Sequence, residues 1–260
     1  RQQGRIPNVL MCDRPIPFYY YFGFHVLAAV FGELADLPSP QAILVFGQIL
    51  NTIIVLSTYQ LAVGLTNHSR TGIIAAMLTG FVSQMPAYYT SWGRYTLMAG
   101  MALLPITMAA TLKFWRDPAR HQLGLQFALL TSGLILTHYL AAIFYYCFLF
   151  FLIVNAKCNK TLWRRQVASL AAWSGLSLAI VAPWIIRVFP YVISFVRIHI
   201  TASTAFADPT SLLDRIQYLW HLMNRPRSWV ILTLAIPAGV VSLVRGRATR
   251  ILIVWLAIMT

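Results

Sequence analysis

The sequence predicts an all-α protein, a polytopic bundle of membrane helices with about eight spans. Of its 260 residues, 59% are hydrophobic and only 10% are charged, whereas soluble domains carry roughly 25% charged residues. The apolar residues form long runs, several near the ~20 residues that a membrane helix needs. The net charge of +14 comes from basic residues in the short loops between those runs. This distribution fits a membrane topology and argues against a nucleic-acid-binding protein.

Residues 1–40 predict an external loop that carries a juxtamembrane helix. Residues 1–16 are polar and contain prolines, and residues 18–31 are apolar but too short to cross a membrane, so we expect an interfacial helix. Residues 33–40 follow as an acidic loop with two prolines. The chain begins at Arg1 without a methionine and ends inside an apolar run. We therefore expect a fragment of one transmembrane domain, cut at both ends.

Residues 41–189 predict the core spans. We expect single spans at residues 42–65, 72–89, 96–112 and 167–188, the last kinked by Pro183. Residues 123–155 are too many for one crossing of a ~30 Å hydrocarbon core at ~1.5 Å per residue. The polar pair Thr137 and His138 interrupts this run. The pattern therefore predicts two helices that meet there.

Residues 190–227 predict a second external loop, followed by two further spans within residues 228–260. Asp208 and Pro209 are typical of a helix N-cap and the first helical position. Apolar residues then recur at helical spacing: Leu212, Leu213, Ile216, Leu219, Trp220 and Met223. This pattern predicts an amphipathic helix lying on the membrane. The last spans are expected at residues 229–244 and 251–259.

The loops alternate in charge along the chain. Loops 65–70, 113–121, 157–166 and 245–250 together hold 11 Lys or Arg and one acid. The intervening loops hold five Arg against four acids. Basic loops favour the cytoplasmic side, so we expect a multi-pass protein of the cell membrane whose unusual polar residues face the extracytoplasmic side.

A short aromatic and polar stretch, residues 88–97, separates two of the apolar runs. Arg94 lies at its centre, close to Trp92 and Tyr95, with Tyr88 and Tyr89 upstream. A guanidinium among ring faces and hydroxyls can hold an anion such as a phosphate. The alternative is that these residues only anchor a membrane helix at the interface, where Trp, Tyr and Arg are common.

Three further residues are candidates for chemistry. His138 is the one ionisable group between two apolar helices, either a packing histidine or a contact for phosphate or metal. His25 allows the same two interpretations. Asp13 is either a solvated loop acid or a carboxylate of the acceptor site. The three cysteines, Cys12, Cys147 and Cys158, form no CxxC pair, and the sequence predicts no set of metal ligands.

Several stretches together resemble the GT-C superfamily of membrane glycosyltransferases, in particular the dolichyl-phosphate-mannose–protein mannosyltransferase and aminoarabinose-transferase type. They are PIPFYYYFGFHVLAAVFGELADLPSP (residues 15–40), NHSRTG (67–72), MPAYYTSWGRYT (85–96), THYL (137–140) and APWIIR (182–187). The resemblance implies a transferase that moves a sugar from a polyprenyl-phosphate donor, within membrane lipids, to a glycan, lipid or protein acceptor on the extracytoplasmic side. It leaves a divalent metal ion open as a cofactor.

With this chemistry in mind, we expect catalytic roles for Asp13, Arg94 and His138, and substrate contacts from His25, Tyr89, Trp92 and Tyr95. The chain departs from the family pattern in two ways. The family's first acid would lie upstream of Arg1, and the 88–97 loop, which usually carries an acid, has only Arg94 as its charge. A transporter or flippase and a non-catalytic membrane scaffold are the alternatives.

Overall fold

The computed structural model describes residues 9–10, 16–17, 22–83, 86–154, 156 and 160–205, with side chains for 22–83, 86–154, 156 and 160–191. Helices make up almost all of this part of the chain, as the sequence predicts. The exception to the predicted all-α structure is a short antiparallel ribbon, in which β1 (Val9–Leu10) pairs with β2 (Ile16–Pro17). Asp13 lies in the stretch between them, outside the described residues.

The described helices are α1 (Gly23–Leu34), α2 (Ser39–Thr66), α3 (Ser69–Met77), α4 (Ala87–Ser91), α5 (Tyr95–Arg116), α6 (His121–Thr137), α7 (Tyr139–Val154) and α8 (Lys160–Ala205). In this part of the chain, α2, α5 and the segment Lys160–Tyr191 of α8 are long and apolar enough to cross a membrane, while α1 and α7 are shorter apolar helices. The amphipathic helix and the last two spans fall outside the described residues. The count of eight spans stays a prediction.

The predicted division of residues 123–155 is confirmed. α6 ends at Thr137, His138 has an extended backbone (φ −162°, ψ 115°), and α7 begins at Tyr139. α7 runs beside α5 in the same direction, since Ala141 lies against Gly100 and Tyr145 contacts Thr111, which comes later in α5. α6 runs in the opposite direction, since Phe127 packs on Phe114 and Gly133 lies near Leu103, so α6 and α7 form an antiparallel hairpin with His138 at its turn.

The predicted single span at residues 72–89 is wrong. α3 widens into a π-helical turn at Leu78–Val82, and the helix ends at Ser83, whose backbone is extended. A separate short helix, α4, follows Pro86. Proline lacks the N–H that a continuing helix needs and disfavours helical geometry in the residue before it, so a helix running on through Pro86 is disfavoured.

The predicted end of the span at residues 167–188 is also wrong. We expected a helix at residues 167–188 and a polar connection from residue 190. Instead, α8 continues through Pro183 and Pro190 to Ala205. A proline inside a helix removes one backbone hydrogen bond, and the largely apolar residues that follow Pro190 favour continuation over a polar loop. The start of the 190–227 connection is therefore helical.

The short helix expected at residues 18–31 forms, but at residues 23–34. Its length corresponds to about 18 Å, well short of the ~30 Å hydrocarbon core. It ends before Asp36, which takes φ 49°. Pro38 and Pro40 then flank the first residue of α2, where proline is well tolerated. The expected location of α1 on the membrane surface stays a prediction.

α5 is the most buried of the three long helices and is the centre of the bundle. On one side it packs with α1 and α2 around Met98 and Leu50, and on the other with α6, α7 and α8. The fully buried Tyr145 shares a 2.7 Å hydrogen bond with Thr111 of α5. Such small polar contacts join helices where the apolar solvent gives no driving force for association.

The antiparallel packing gives the bundle two ends. Arg116 contacts the end of α2, and Gln166 of α8 contacts Trp115. This end, here called the basic end, carries Arg70, Lys113, Arg116, Arg120, Lys160, Arg164 and Arg165. The opposite end, here called the Arg94 end, gathers the start of α1, the start of α2, the α4–α5 turn and the His138 turn.

Candidate functional site

Arg94 lies at the tight turn between α4 and α5. Gly93 takes φ +66°, a left-handed conformation that glycine adopts without steric cost. The Arg94 N–H donates to the Tyr89 carbonyl at 3.1 Å, and its own carbonyl accepts from the Met98 N–H at 3.0 Å. Both backbone groups of Arg94 are therefore held by the two helices that it joins.

The Arg94 side chain lies over the indole of Trp92, with Cζ 4.3 Å from the ring centroid. Both residues are exposed. The described part of the chain holds three acids, Glu33, Asp36 and Asp117. None of them pairs with Arg94, whose stacking on Trp92 leaves the edge of the guanidinium open. An exposed guanidinium held in this way can receive an anion through its N–H groups.

Tyr89 and Tyr95, both predicted to contact substrate, also contribute to the packing of the bundle. The Tyr95 ring stacks on Phe24 of α1 with a centroid distance of 5.8 Å. It also fills a notch at Gly47 of α2, where a methyl group would overlap the ring. Tyr89 packs against the same apolar cluster. Their predicted contacts with substrate remain untested.

Beside Arg94 is an open groove, lined by both polar and apolar residues, with a volume of about 440 Å³. Its walls come from α2 on one side and from α4 and the start of α5 on the other. The lining residues are Leu44, Gln48, Asn51, Ala87, Thr90, Ser91, Gly93 and Tyr95. Gln48 and Asn51 were not among the predicted site residues. Their spacing of three residues inside an apolar span was the available signal, because it puts both amides on one helix face.

His138 is buried at the turn between α6 and α7. Its Cβ lies so close to Gly100 of α5 that a methyl group there would come within 2.8 Å of it. The imidazole stacks on Tyr139, with ring centroids 5.5 Å apart. The start of α1 also reaches this turn, since a methyl group at Gly23 would lie 2.9 Å from the Thr137 hydroxyl oxygen. His138 is thus enclosed by α1, α5 and its own hairpin.

His25 lies in a different depression, between α1 and the start of α2, together with Glu33 and Ser39. Burial lowers the pKa of both His25 and His138 below the usual value of 6.5. Both imidazoles are therefore mainly neutral at pH 7. Arg187 of α8, near Trp184 with Cζ 6.0 Å from that ring, is a further cation toward this end.

The structure brings together only some of the predicted site residues. Arg94, Trp92 and Tyr95 surround one turn and its groove. No hydrogen bond or ion pair joins Arg94 to His138. Within the described ranges, no three His, Cys, Asp or Glu side chains come together as metal ligands.

The apolar helices, the basic end and the polar Arg94 end define the class of protein as a membrane protein built from bundled helices. The chain belongs to DUF6541, a family of unknown function whose model matches residues 11–260. No curated protein matches the chain. No solved structure matches it either.

Proposed function

We propose that the protein is an integral membrane glycosyltransferase that moves a sugar from a polyprenyl-phosphate donor to an acceptor on the extracytoplasmic side. The observation that carries the proposal is Arg94, a cation at one end of the helix bundle. It is stacked on Trp92 and has no carboxylate partner among the described residues. A polyprenyl phosphate presents its charged group at such a level of the membrane while its chain stays in the apolar layer.

The reaction needs a cation where negative charge develops. The acceptor hydroxyl oxygen attacks the anomeric carbon, the bond from that carbon to the phosphate oxygen breaks, and the hydroxyl proton passes to a base. The departing prenyl phosphate gains charge at its oxygen, which the Arg94 N–H groups would stabilise. His138, neutral and enclosed, and Asp13 are the candidates in this chain for the base.

The charges at the two ends support the proposed orientation. The basic end carries seven Lys or Arg in the described helices and turns, with Asp117 as its acid. The positive-inside rule places that end in the cytoplasm. In the proposed multi-pass protein of about eight spans, Arg94 and the groove would then face the extracytoplasmic side.

The test is Arg94→Ala in protein reconstituted into vesicles, assayed for transfer from short-chain prenyl-phosphate hexoses and pentoses. We expect at least about a hundredfold loss of transfer, the usual cost of removing one group that stabilises developing charge. Arg70→Ala is the matched control, because Arg70 is an exposed cation at the basic end. Full activity in Arg94→Ala would remove this residue from the mechanism.

A transporter or flippase is the second candidate, and one observation favours it. The helix that begins with α3 is interrupted at Ser83 next to a π-helical turn, and broken helices are common at transporter binding sites. Uptake of a labelled prenyl-phosphate sugar into vesicles without covalent transfer would favour this function. A non-catalytic scaffold would instead tolerate substitution of both Arg94 and His138.

A further inference from the structure

Two amide side chains of α2 face the groove beside Arg94. Gln48 and Asn51 are three residues apart and both line the groove beside α4. At ~1.5 Å per residue, they lie about 14 and 18 Å along the helix from its first residue, Ser39. α2 is one of the helices able to cross a membrane, and because Gly47 contacts Tyr95, the first residue of α5, these amides lie at the Arg94 end of the bundle.

Neither side-chain amide forms a hydrogen bond with the part of the chain that the structure describes. The contact recorded at Gln48 is through its backbone carbonyl, which accepts a bond from the Thr52 hydroxyl. An amide without a partner in the protein bonds to water, which a bound ligand can replace. Two such amides on one wall of a groove can both donate hydrogen bonds to a ligand and accept them from it.

The opposite wall of the groove adds hydroxyl groups. The Thr90 hydroxyl donates to the Met98 Sδ at 3.4 Å, and the Ser91 hydroxyl donates to the Tyr88 carbonyl at 2.8 Å. Both oxygens can still accept a hydrogen bond. Tyr95 also lines the groove, and its hydroxyl makes no hydrogen bond within the described chain.

The groove thus offers amides and hydroxyls, and none of its lining residues is charged. Such a surface fits a neutral ligand with many hydroxyl groups, because amides both donate and accept hydrogen bonds. Its volume falls within the range of roughly 300–1,000 Å³ typical of small-molecule sites. Arg94 does not line the groove, but Gly93 and Tyr95 on either side of it in the chain do, so an anionic group that extends beyond the groove can reach the guanidinium.

We infer that this groove binds the sugar of the lipid-linked donor, with Gln48 and Asn51 contacting its hydroxyls while Arg94 holds the attached phosphate. The inference rests on the proposed function and specifies which part of the donor each wall recognises. A sugar acceptor would share the same hydroxyl chemistry. The donor is favoured because the groove adjoins the cation that a phosphate requires.

The experiment compares two probes: a short-chain prenyl phosphate, and the same prenyl phosphate carrying a hexose or a pentose. Binding is measured with the full chain in lipid nanodiscs. In Gln48→Leu/Asn51→Leu we expect the best sugar-bearing probe to bind about tenfold or more weakly, the loss of one or two hydrogen bonds, with unchanged affinity for the bare phosphate. Arg94→Ala should weaken both probes.

Gln60→Leu is the matched control, since Gln60 is an exposed amide on α2 that does not line the groove. It should leave both affinities unchanged. Thermal unfolding shows whether each variant is folded. Gln48→Asn, which keeps the amide but shortens its reach, provides a second variant if the double substitution fails to fold, and it should also weaken only the sugar-bearing probe.

The outcomes separate the two proposals. If Arg94→Ala weakens binding but the groove variants bind the sugar-bearing probe normally, the sugar site is overturned and the proposed function stands. The same conclusion follows if no sugar makes the probe bind more tightly than the bare phosphate, or if the variants weaken only the binding of an acceptor. If the wild-type protein binds neither probe, both proposals fail.

Discussion

Arg94 and Arg116 lie at opposite ends of the same helix, and the structure gives them different surroundings. Arg116, the last residue of α5, donates to the Gly64 carbonyl at 2.8 Å and to the Asn67 side-chain oxygen at 3.1 Å. It therefore satisfies the C-terminal end of α2. Arg94, before the first residue of α5, lies over a ring and has no polar side-chain partner within the described chain.

The comparison shows that sequence context alone does not separate a structural arginine from one available to a ligand. Both residues are exposed, both flank an apolar span and both have a tryptophan nearby, Trp92 for Arg94 and Trp115 for Arg116. The two arginines differ in the groups that the neighbouring helix α2 presents to them. The end of α2 presents free carbonyls to Arg116, whereas the groove wall beside Arg94 presents uncharged side chains.

After Arg94→Ala, the largest loss of sugar transfer is expected from Arg94→Lys. Lysine keeps the charge but loses the planar fork and the stacking of a guanidinium. We expect transfer to fall by about ten- to a hundredfold, with no change in thermal unfolding. Arg116→Lys is the matched control and should leave transfer by the folded protein unchanged. Equal activity in the wild-type protein and in Arg94→Lys would show that a simple positive charge is sufficient.

A smaller effect, on stability rather than activity, is expected from Arg116→Ala. The substitution removes two hydrogen bonds to the end of α2, and because the site is exposed we expect a loss of about 1 kcal/mol in the free energy of unfolding. Thermal unfolding in detergent measures it. Transfer by the protein that remains folded should be close to wild type. Loss of transfer without loss of stability would contradict the assigned structural role.

The smallest effect is expected from Trp92→Leu. An exposed cation–π contact contributes about 0.5–1 kcal/mol, so transfer should fall by about two- to fivefold as Arg94 becomes less well ordered. Trp115→Leu serves as the control at the other end. A loss as large as that of Arg94→Ala would instead indicate that Trp92 contacts the substrate itself.

The helical fold and several boundaries could be predicted from the sequence because they depend on local rules. The interruption at His138 followed from the excess length of an apolar run, and α5 follows the run at residues 96–112 closely. The ends of α3 and α8 were missed because prolines act differently in each. Pro86 follows the end of one helix, while Pro183 and Pro190 lie inside another, and neighbouring packing decides between these outcomes.

The candidate site was predictable only in part. Arg94 and Trp92 stand close in sequence, so their contact could be expected. The groove joins residues from α2 with residues from α4 and α5, and only tertiary packing shows which face of α2 meets them. For the same reason Tyr95 could not be recognised as a packing residue, because Gly47 and Phe24 are distant in sequence.

The notch at Gly47 has a consequence for how Arg94 is presented. Tyr95 is anchored between Gly47 and Phe24, and Arg94 is its direct neighbour in the chain. The backbone at Arg94 is therefore held in place. A ligand that binds the guanidinium would lose little free energy in ordering the loop. Gly47, which touches no proposed substrate atom, would in that way set the affinity of the protein for anions from a distance.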